Sequence, residues 1–248
     1  MSEVAPLSFL RRHTTARVAL GRAGAGLPTA AHLDFQEAHA RARDAVWSAL
    51  DEDALEAALR PLGLPVIRVA SAAPDRRSYL LRPDLGRRLA TADPLPRAEG
   101  RIVFVVADGL CATGVQDWAP PVLAALLPRL SASALEAGPI LIARQARVAL
   151  GDAAAEAMGA AAVVVLIGER PGLSAQDSLG AYLTWAARVG RADSERNCVS
   201  NIRAAGLAPE AAAAKIAWLL SAARDRGGTG VGLKDEQPAT ERLRPPGV

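Results

Sequence analysis

Cysteine and histidine are scarce in this chain of 248 residues. It contains two cysteines, Cys111 and Cys198, and three histidines, with no Cys-x-x-Cys pair and no Cys/His cluster. This scarcity argues against a disulfide scaffold, a zinc finger and an iron–sulfur site. A chain of this length can bury a core without such staples. We therefore expect a reduced protein of the cytosolic type that has no metal site.

Aromatic residues and long apolar runs are scarce as well. Aromatics make up 4% of the chain, and its basic residues, almost all arginine, are scattered although the formal net charge is +3. Without stacking platforms or basic clusters, nucleic acid is not an expected partner. The longest apolar run, residues 160–167, is far shorter than the ~20 residues of a membrane span. Because the N-terminus also lacks the apolar core of a signal peptide, we expect a soluble protein.

Residues 1–99 form the first predicted unit, a smaller and mainly helical portion. Its predicted elements are a helix over 29–49, a helix over 52–59, strands over 66–70 and 79–81, and helical turns over 84–90. Thr29 is a suitable N-cap for the first helix, and Pro61 and Gly63 end the second. The segment 92–99, rich in proline and charge, marks the boundary to the second unit.

Residues 100–233 alternate apolar runs with helical patterns. Strands are predicted over 102–106, 140–143, 162–167 and 198–202, and helices over 121–137, over 152–160 and from Pro209 to a stop at Gly227. Uninterrupted apolar strands between helices are typical of a parallel sheet that is covered on both faces. The fold class is thus predicted as α/β, with a Rossmann-like parallel sheet in this second unit. Residues 234–248 are polar and are predicted to form a disordered tail.

A ligand of such a sheet binds beyond the carboxyl ends of its strands. The segments 108–110, 168–172 and 198–203 fall at these ends. Glu169 and Arg170 lie in a turn pre-set by proline and glycine. Glu169 can accept hydrogen bonds from ligand amides or hydroxyls, or the two residues simply tie their loop to a neighbouring element. Asp108 is either an acid that faces the ligand or, slightly favoured, a helix N-cap.

The remaining candidate residues favour structural roles. The glycine-rich segment 21–26 has GxxGxG rather than the dinucleotide spacing GxGxxG, so a turn or subunit contact is favoured over a phosphate loop. His39 fits a packed or interface histidine better than a ligand or base. Cys111 and Cys198 are expected to be small buried hydrophobic residues. The sequence has no histidine after residue 39 that could activate either thiol as a nucleophile. Three tryptophans are candidates either for interface anchors or for a satellite core: Trp118, Trp185 and Trp218. The residues alone indicate an α/β ligand-binding domain without a catalytic set of its own.

Six stretches, in order along the chain, resemble the small (light) subunit of ethanolamine ammonia-lyase. They are ARVALGRAGAGLPTAAHLDFQEAHARARDAV at 16–46, YLLRPDLGRRL at 79–89, FVVADGL at 104–110, ARQARVALGD at 143–152, VVVLIGERPGLSAQDSLGAYLTW at 163–185 and ERNCVSNIR at 195–203. They are far more specific than any single glycine motif.

This resemblance implies a subunit of an adenosylcobalamin-dependent lyase that converts ethanolamine to acetaldehyde and ammonia. The cofactor supplies the radical chemistry. In this family the large subunit holds the substrate and the catalytic residues, and the Rossmann-like small subunit closes over the cobalamin from the other side. The implied assembly is a hetero-oligomer in which this chain has no catalytic residue and no activity alone.

The resemblance also implies three cofactor contacts. Glu169, in GERPG, matches the family's cobalamin-binding glutamate, whose carboxylate accepts hydrogen bonds from corrin amides. Cys198 matches a packing or main-chain contact, and Val148 matches an apolar or main-chain contact. The second-rank candidates beside the same crevice are Arg170, Asp108 and Asn201.

The sequence departs from the family pattern at Cys111, where members commonly have serine in DGLS. No DxHxxG motif occurs, and the base-on cobalamin binding of the family needs none. The resemblance begins at residue 16, without the N-terminal extension that directs some members into a bacterial microcompartment. We therefore expect the cytoplasm as the location, with a microcompartment as the alternative.

Two other classes of function stay open at this point. The first alternative is a stand-alone Rossmann-like oxidoreductase that uses a nicotinamide nucleotide, although the glycine spacing counts against it. The second is a non-catalytic scaffold or adaptor whose crevice is vestigial. Loss of Glu169 should weaken cobalamin binding by a lyase subunit, whereas it would leave the function of a scaffold intact.

Overall fold

The computed structural model describes residues 7–14, 16–90 and 94–237. In these residues six strands form one mixed sheet in the order β1-β3-β2-β4-β5-β6. The strands are β1 (Val66–Ala70), β2 (Ile102–Ala107), β3 (Ala137–Arg144), β4 (Ala162–Gly168), β5 (Leu179–Trp185) and β6 (Asn197–Ile202). The first four strands run parallel to one another, and β5 and β6 continue the sheet in antiparallel pairings.

Helices pack on both faces of this sheet. Within the same described residues there are six α-helices: α1 (Thr29–Trp47), α2 (Glu52–Leu59), α3 (Arg76–Leu81), α4 (Ala112–Ala132), α5 (Val148–Met158) and α6 (Pro209–Arg226). One core layer joins α2, α4 and α6 to the sheet face that carries Phe104 and Val164. The other layer joins α5 to the face that carries Val105 and Val163. Alternate residues of the apolar strands therefore fill two separate cores.

The prediction of a wholly parallel sheet is wrong at one edge. The loop from β4 to β5, residues 169–178, contains no helix. A parallel connection needs a crossover of a dozen or more residues, so this short loop returns the chain antiparallel and pairs Ala162 with Trp185. The reversed strand β5 was not predicted. The strand expected at residues 198–202 is confirmed as β6, and because it is antiparallel to β5 it runs in the same direction as β1–β4.

The N-terminal portion contributes to the same sheet. The predicted strand at residues 66–70 is confirmed, and it pairs in parallel with β3 at the sheet edge. Residues 79–81, predicted as a strand, lie instead in α3, which Asp75 caps by accepting a hydrogen bond from Ser78 N at 2.8 Å. The unit boundary at 92–99 and the disordered tail at 234–248 stay predictions, and residues 91–93 and 238–248 lie outside the described part.

Several helix ends differ from the prediction. Thr29 is the first residue of α1 rather than its N-cap, which is Pro28. α4 begins at Ala112 rather than Pro121, because the Cys111 Sγ accepts a hydrogen bond from Gly114 N and caps the helix early. The start of α6 at Pro209 and its stop at Gly227, which has φ +77°, are confirmed. No helix among the described residues has the length and apolar character to span a membrane.

Candidate functional site

A crevice of about 430 Å³ opens at the carboxyl ends of β2 and β4. We define the crevice by its lining residues: Tyr79, Gly109, Leu110, Arg147, Val148, Ile167, Gly168, Glu169, Arg170 and Tyr182. Its position is the usual ligand-binding end of an open α/β sheet. Two of the three predicted cofactor contacts, Val148 and Glu169, line it together.

Glu169 follows β4 directly, and its carboxylate is held on one side. Its Oε2 accepts a hydrogen bond of 3.1 Å from Asn201 N. Asn201 adopts a left-handed conformation with φ +58°, which is a backbone shape that asparagine tolerates better than most residues. Among the described residues no donor is bonded to Oε1, so this oxygen is open to a donor from a ligand.

Gly180 of β5 provides the space for this carboxylate. A Cβ on Gly180 would lie 3.0 Å from Glu169 Oε1 and 3.2 Å from its Cγ. Any larger residue at this position would therefore push the Glu169 side chain aside. The strand that sequence analysis missed is thus one wall of the Glu169 site.

Val148 and Cys198 approach the crevice in different ways. Val148 is the first residue of α5 and is half-buried in the crevice wall. Cys198 lies on β6 opposite Tyr182, which lines the crevice, but Cys198 itself is outside the lining. Desolvation raises the pKa of the Cys198 thiol, although a hydrogen bond from Tyr182 lowers it. Cys198 is exposed, so the expectation of a small buried hydrophobe is wrong for it, and it lies next to the crevice through Tyr182.

Asp108 has neither of its predicted roles. It is buried rather than facing a ligand, and Cys111 is the N-cap of α4. Its two carboxylate oxygens accept hydrogen bonds from Gln145 N at 3.0 Å and Ala146 N at 3.2 Å. Burial raises the pKa of the carboxyl, although these hydrogen bonds and Arg76, 3.6 Å away, lower it. Asp108 therefore fixes the loop that leads to Arg147.

A stack of one tyrosine and two arginines forms a wall that sequence analysis missed. The ring of buried Tyr79 lies 4.2 Å from Arg147 Cζ and 5.0 Å from Arg76 Cζ, measured to the ring centroid. The Tyr79 hydroxyl donates to Ala146 O at 3.1 Å. Burial raises the pKa of Tyr79 to about 12, so it stays neutral. These contacts are consistent with cation–π attraction that holds Arg147 at the crevice.

Gly168 and Gly109 let the two loops at the crevice floor touch. A Cβ on Gly168 would lie 2.0 Å from Cys111 O, and one on Gly109 would lie 2.3 Å from Gly168 O. Gly109 also has φ +53°, which disfavours other residues. The buried Cys111 thiol donates to Gln176 O at 2.9 Å, so this cysteine links the two loops as a hydroxyl donor could.

The other predicted residues have structural surroundings. His39 is exposed on α1 and stacks on Phe35 with ring centroids 6.3 Å apart, so a packed core position was wrong for it. Residues 21–26 form a turn closed by an Ala23–Gly26 bridge. All three tryptophans named as anchor or core candidates pack against the first core layer, namely Trp118, Trp185 and Trp218. In the described residues no group of three or more His, Cys, Asp or Glu side chains could hold a metal ion.

Comparisons with known proteins agree on one family. The sequence model of ethanolamine ammonia-lyase light chain (EutC) matches residues 4–234. The chain is 54% identical over 237 residues to an ethanolamine ammonia-lyase small subunit of Bradyrhizobium diazoefficiens, covering 93% of this chain and 91% of that one. It is 53% identical to that of Azotobacter vinelandii, covering 93% and 88%, and 51% identical to that of Rhodopseudomonas palustris, covering 93% and 90%.

Proposed function

This chain belongs to the ethanolamine ammonia-lyase light chain family, and on that premise we propose that its crevice binds one side of adenosylcobalamin at the contact with a large subunit. The chain is accordingly a lyase subunit. When bound, adenosylcobalamin supplies the radical chemistry by which ethanolamine becomes acetaldehyde and ammonia. This chain's own residues position the cofactor and complete its site.

The observation that supports this proposal most strongly is the geometry of Glu169. Its Oε2 is fixed by Asn201 N, and its Oε1 stands over Gly180 without a donor from the described residues. The rim of a corrin carries neutral amides, whose N–H groups are suitable donors to a carboxylate. A carboxylate held on one side and open on the other can accept such an N–H without rearrangement.

Val148 and Cys198 complete the proposed contact surface. Val148 offers an apolar wall in the same crevice as Glu169. The Cys198 thiol stays protonated near neutral pH because desolvation raises its pKa, so we assign it a packing contact rather than a nucleophilic role. A crevice of this size is smaller than a corrin with its side chains, which fits a cofactor shared between two subunits.

Substrate chemistry is assigned to the large subunit. The groups in the crevice do not form a nucleophile–base pair among the described residues, since Glu169 bonds a backbone N–H and Asp108 is buried behind the floor. We therefore propose that the large subunit holds ethanolamine. The four parallel strands covered on both faces support a Rossmann-like description of the domain. The cytoplasm is the proposed location, and a microcompartment is the alternative.

Family membership does not support the alternative of a stand-alone nucleotide-dependent oxidoreductase. The glycine-rich segment 21–26 precedes α1, but no strand of the described residues comes before it, whereas a dinucleotide-binding loop directly follows a strand. Its structure is the turn that sequence analysis favoured.

Co-expression with the large subunit tests the proposed function. We expect acetaldehyde release from ethanolamine only when both chains and adenosylcobalamin are present, with each chain alone as the control. A complex that binds adenosylcobalamin without releasing acetaldehyde would indicate a different substrate. Failure to bind adenosylcobalamin would refute the cofactor role of the crevice.

A further inference from the structure

A second cavity adjoins the crevice and is strongly basic. It has a volume of about 540 Å³ and shares Leu110, Arg147 and Arg170 with the crevice. We call it the arginine cavity and define it by Arg43, Arg147, Arg170, Trp47, Leu80 and Leu173. Its described lining contains three arginines and His39 but no aspartate or glutamate.

The guanidinium groups of this cavity lack the carboxylate partners that other arginines of the described residues have, such as Arg68 and Arg97. Among the described residues, neither Arg43 nor Arg170 forms a side-chain hydrogen bond or an ion pair. The Arg147 Nε is buried without a hydrogen-bond partner. The Nη2 of Arg147 donates one long bond, 3.4 Å, to Tyr79 O. By contrast, Arg196 is paired with Asp152 through both nitrogens.

Arg147 is held in place although it is unpaired. Its guanidinium lies over the Tyr79 ring, and its backbone N donates to Gly86 O at 2.8 Å. The buried Asp108, behind this wall, already has two backbone N–H groups and Arg76 as partners. Glu169, across the shared wall, is bonded to Asn201 N. A fixed guanidinium without a neutralising carboxylate is a suitable site for an anion.

We propose that the arginine cavity binds the phosphodiester of the cobalamin nucleotide loop, with Arg147 and Arg170 as its donors. The inference rests on the proposed function of the crevice. The phosphodiester carries negative charge, whereas the corrin amides are neutral, so Glu169 attracts the amides and repels the phosphate. The crevice contains a carboxylate and the arginine cavity contains none, so two cavities that share one wall match the two chemically different parts of a single cofactor.

The apolar part of the arginine cavity supports the same occupant. Trp47 and Leu173 lie in its lining beside the arginines. A nucleotide loop presents a sugar and a heteroaromatic base next to its phosphate, so apolar and basic surfaces are both needed. Free inorganic phosphate has no apolar group that could pack against this wall.

The test compares three corrinoids on the two-subunit complex. Adenosylcobalamin has the whole nucleotide loop, adenosylcobinamide phosphate has only its phosphate, and adenosylcobinamide has neither. Dissociation constants are measured by spectroscopic titration for wild type, Arg147→Met and Arg170→Met. Arg129→Met is the matched control because Arg129 is a half-buried arginine on α4, outside both cavities.

We expect each cavity variant to raise the dissociation constants of adenosylcobalamin and adenosylcobinamide phosphate by about tenfold or more, since a charge-assisted hydrogen bond is lost. The dissociation constant of adenosylcobinamide should stay within about twofold. Arg170 is exposed, so Arg170→Met tests the site even where Arg147→Met disturbs the tyrosine stack.

Several results would overturn the proposal. An equal loss for all three corrinoids, or no loss, would show that the arginines do not contact the phosphate. If the arginine variants assemble more weakly with the large subunit and lose affinity for no particular corrinoid, the cavity binds an acidic protein surface instead. Inorganic phosphate that binds the wild type and leaves corrinoid affinities unchanged would assign it to a free anion. Failure of wild type to bind any corrinoid would instead refute the proposed function itself.

Discussion

The crevice depends on glycines that allow contacts no other residue would permit. Gly168 ends β4 and lies against the backbone of Cys111, and Gly180 leaves room for Glu169. In each case a missing side chain determines where a neighbouring loop or carboxylate can lie. Such positions are difficult to find in one sequence, because glycine also occurs in ordinary turns.

Replacing Gly168 by alanine should destabilise the protein far more than the same change at Gly172. A Cβ at Gly168 meets Cys111 O at 2.0 Å, whereas the nearest atom to one at Gly172 is Ala175 O at 3.7 Å. We expect Gly168→Ala to lower the free energy of unfolding by about 3 kcal/mol, as in severe overpacking. Urea denaturation checks this, and equal stability of the two variants would show that the floor contact is wrong.

Cys198 is exposed and Cys111 is buried, which makes alkylation selective. Since the thiolate is the reactive form and the Cys198 pKa is raised from 9.0, its half-maximal rate with iodoacetamide should come above pH 9.0. Adenosylcobalamin should slow the reaction in the two-subunit complex. Cys198→Ser is the control and should lose the label. Fast alkylation at neutral pH, or no protection by the cofactor, would count against its position beside the bound corrin.

Among the elements, those with a strong burial signal were predictable. β2 and β4 are continuous apolar runs and are buried throughout, so they were placed within a residue or two. β5 was missed because Gly180 and Ala181, near its start, give little strand signal. α3 was mistaken for a strand because Tyr79-Leu80-Leu81 is apolar and short. Such a run has no helical period by which to recognise it.

In the candidate site, too, only the residues with a local signal in the sequence were predictable. Glu169 and Val148 were placed by motif resemblance, and the structure brings them into one crevice. Arg147 and Tyr79 were not identified, because their stack joins α3 to the start of α5 across many residues of sequence. Contacts of this kind depend on tertiary packing and leave no local pattern.

A buried ion pair joins α5 to the segment before β6. Arg196 contacts Asp152 through both nitrogens, with one distance of 2.6 Å, and it also donates to Thr184 Oγ1 at 3.0 Å. Removing one partner from a buried pair costs about 3–5 kcal/mol, because the other charge is left buried alone.

A double-mutant cycle tests this pair. Asp152→Leu and Arg196→Met should each destabilise the protein strongly, and the double variant should lose much less than the sum of the two, because no charge is left unpaired. The free energy of unfolding in urea provides the comparison. Additive losses would mean that the two side chains do not interact.

The molecule as a whole presents an uncovered apolar surface on α1. Ala38 is the only buried residue of this helix, while Leu33 is 57% exposed and Trp47 is 54% exposed. Trp47 also lines the arginine cavity, so this end of the α1 surface adjoins the proposed cofactor site. Exposed apolar patches of this kind mark protein interfaces. The small-subunit family implies a large subunit as the partner.

We therefore expect Leu33→Ser and Trp47→Ser to weaken assembly with the large subunit by about tenfold or more, as loss of interface anchors does. Val189→Ser is the matched control, because Val189 is 67% exposed elsewhere on the surface. Analytical ultracentrifugation of the mixed subunits measures the effect. If the α1 variants assemble like the control, another surface holds the large subunit.

The cofactor role of this subunit is tested most directly by titrating the purified two-subunit complex with adenosylcobalamin. Glu169→Ala is compared with wild type and with Glu210→Ala, an exposed glutamate on α6 away from the crevice. We predict that Glu169→Ala weakens binding about tenfold or more, since a hydrogen bond to a charged group is lost, and that Glu210→Ala has no effect. An unchanged affinity in the Glu169→Ala complex would contradict the assignment of the crevice to the cofactor.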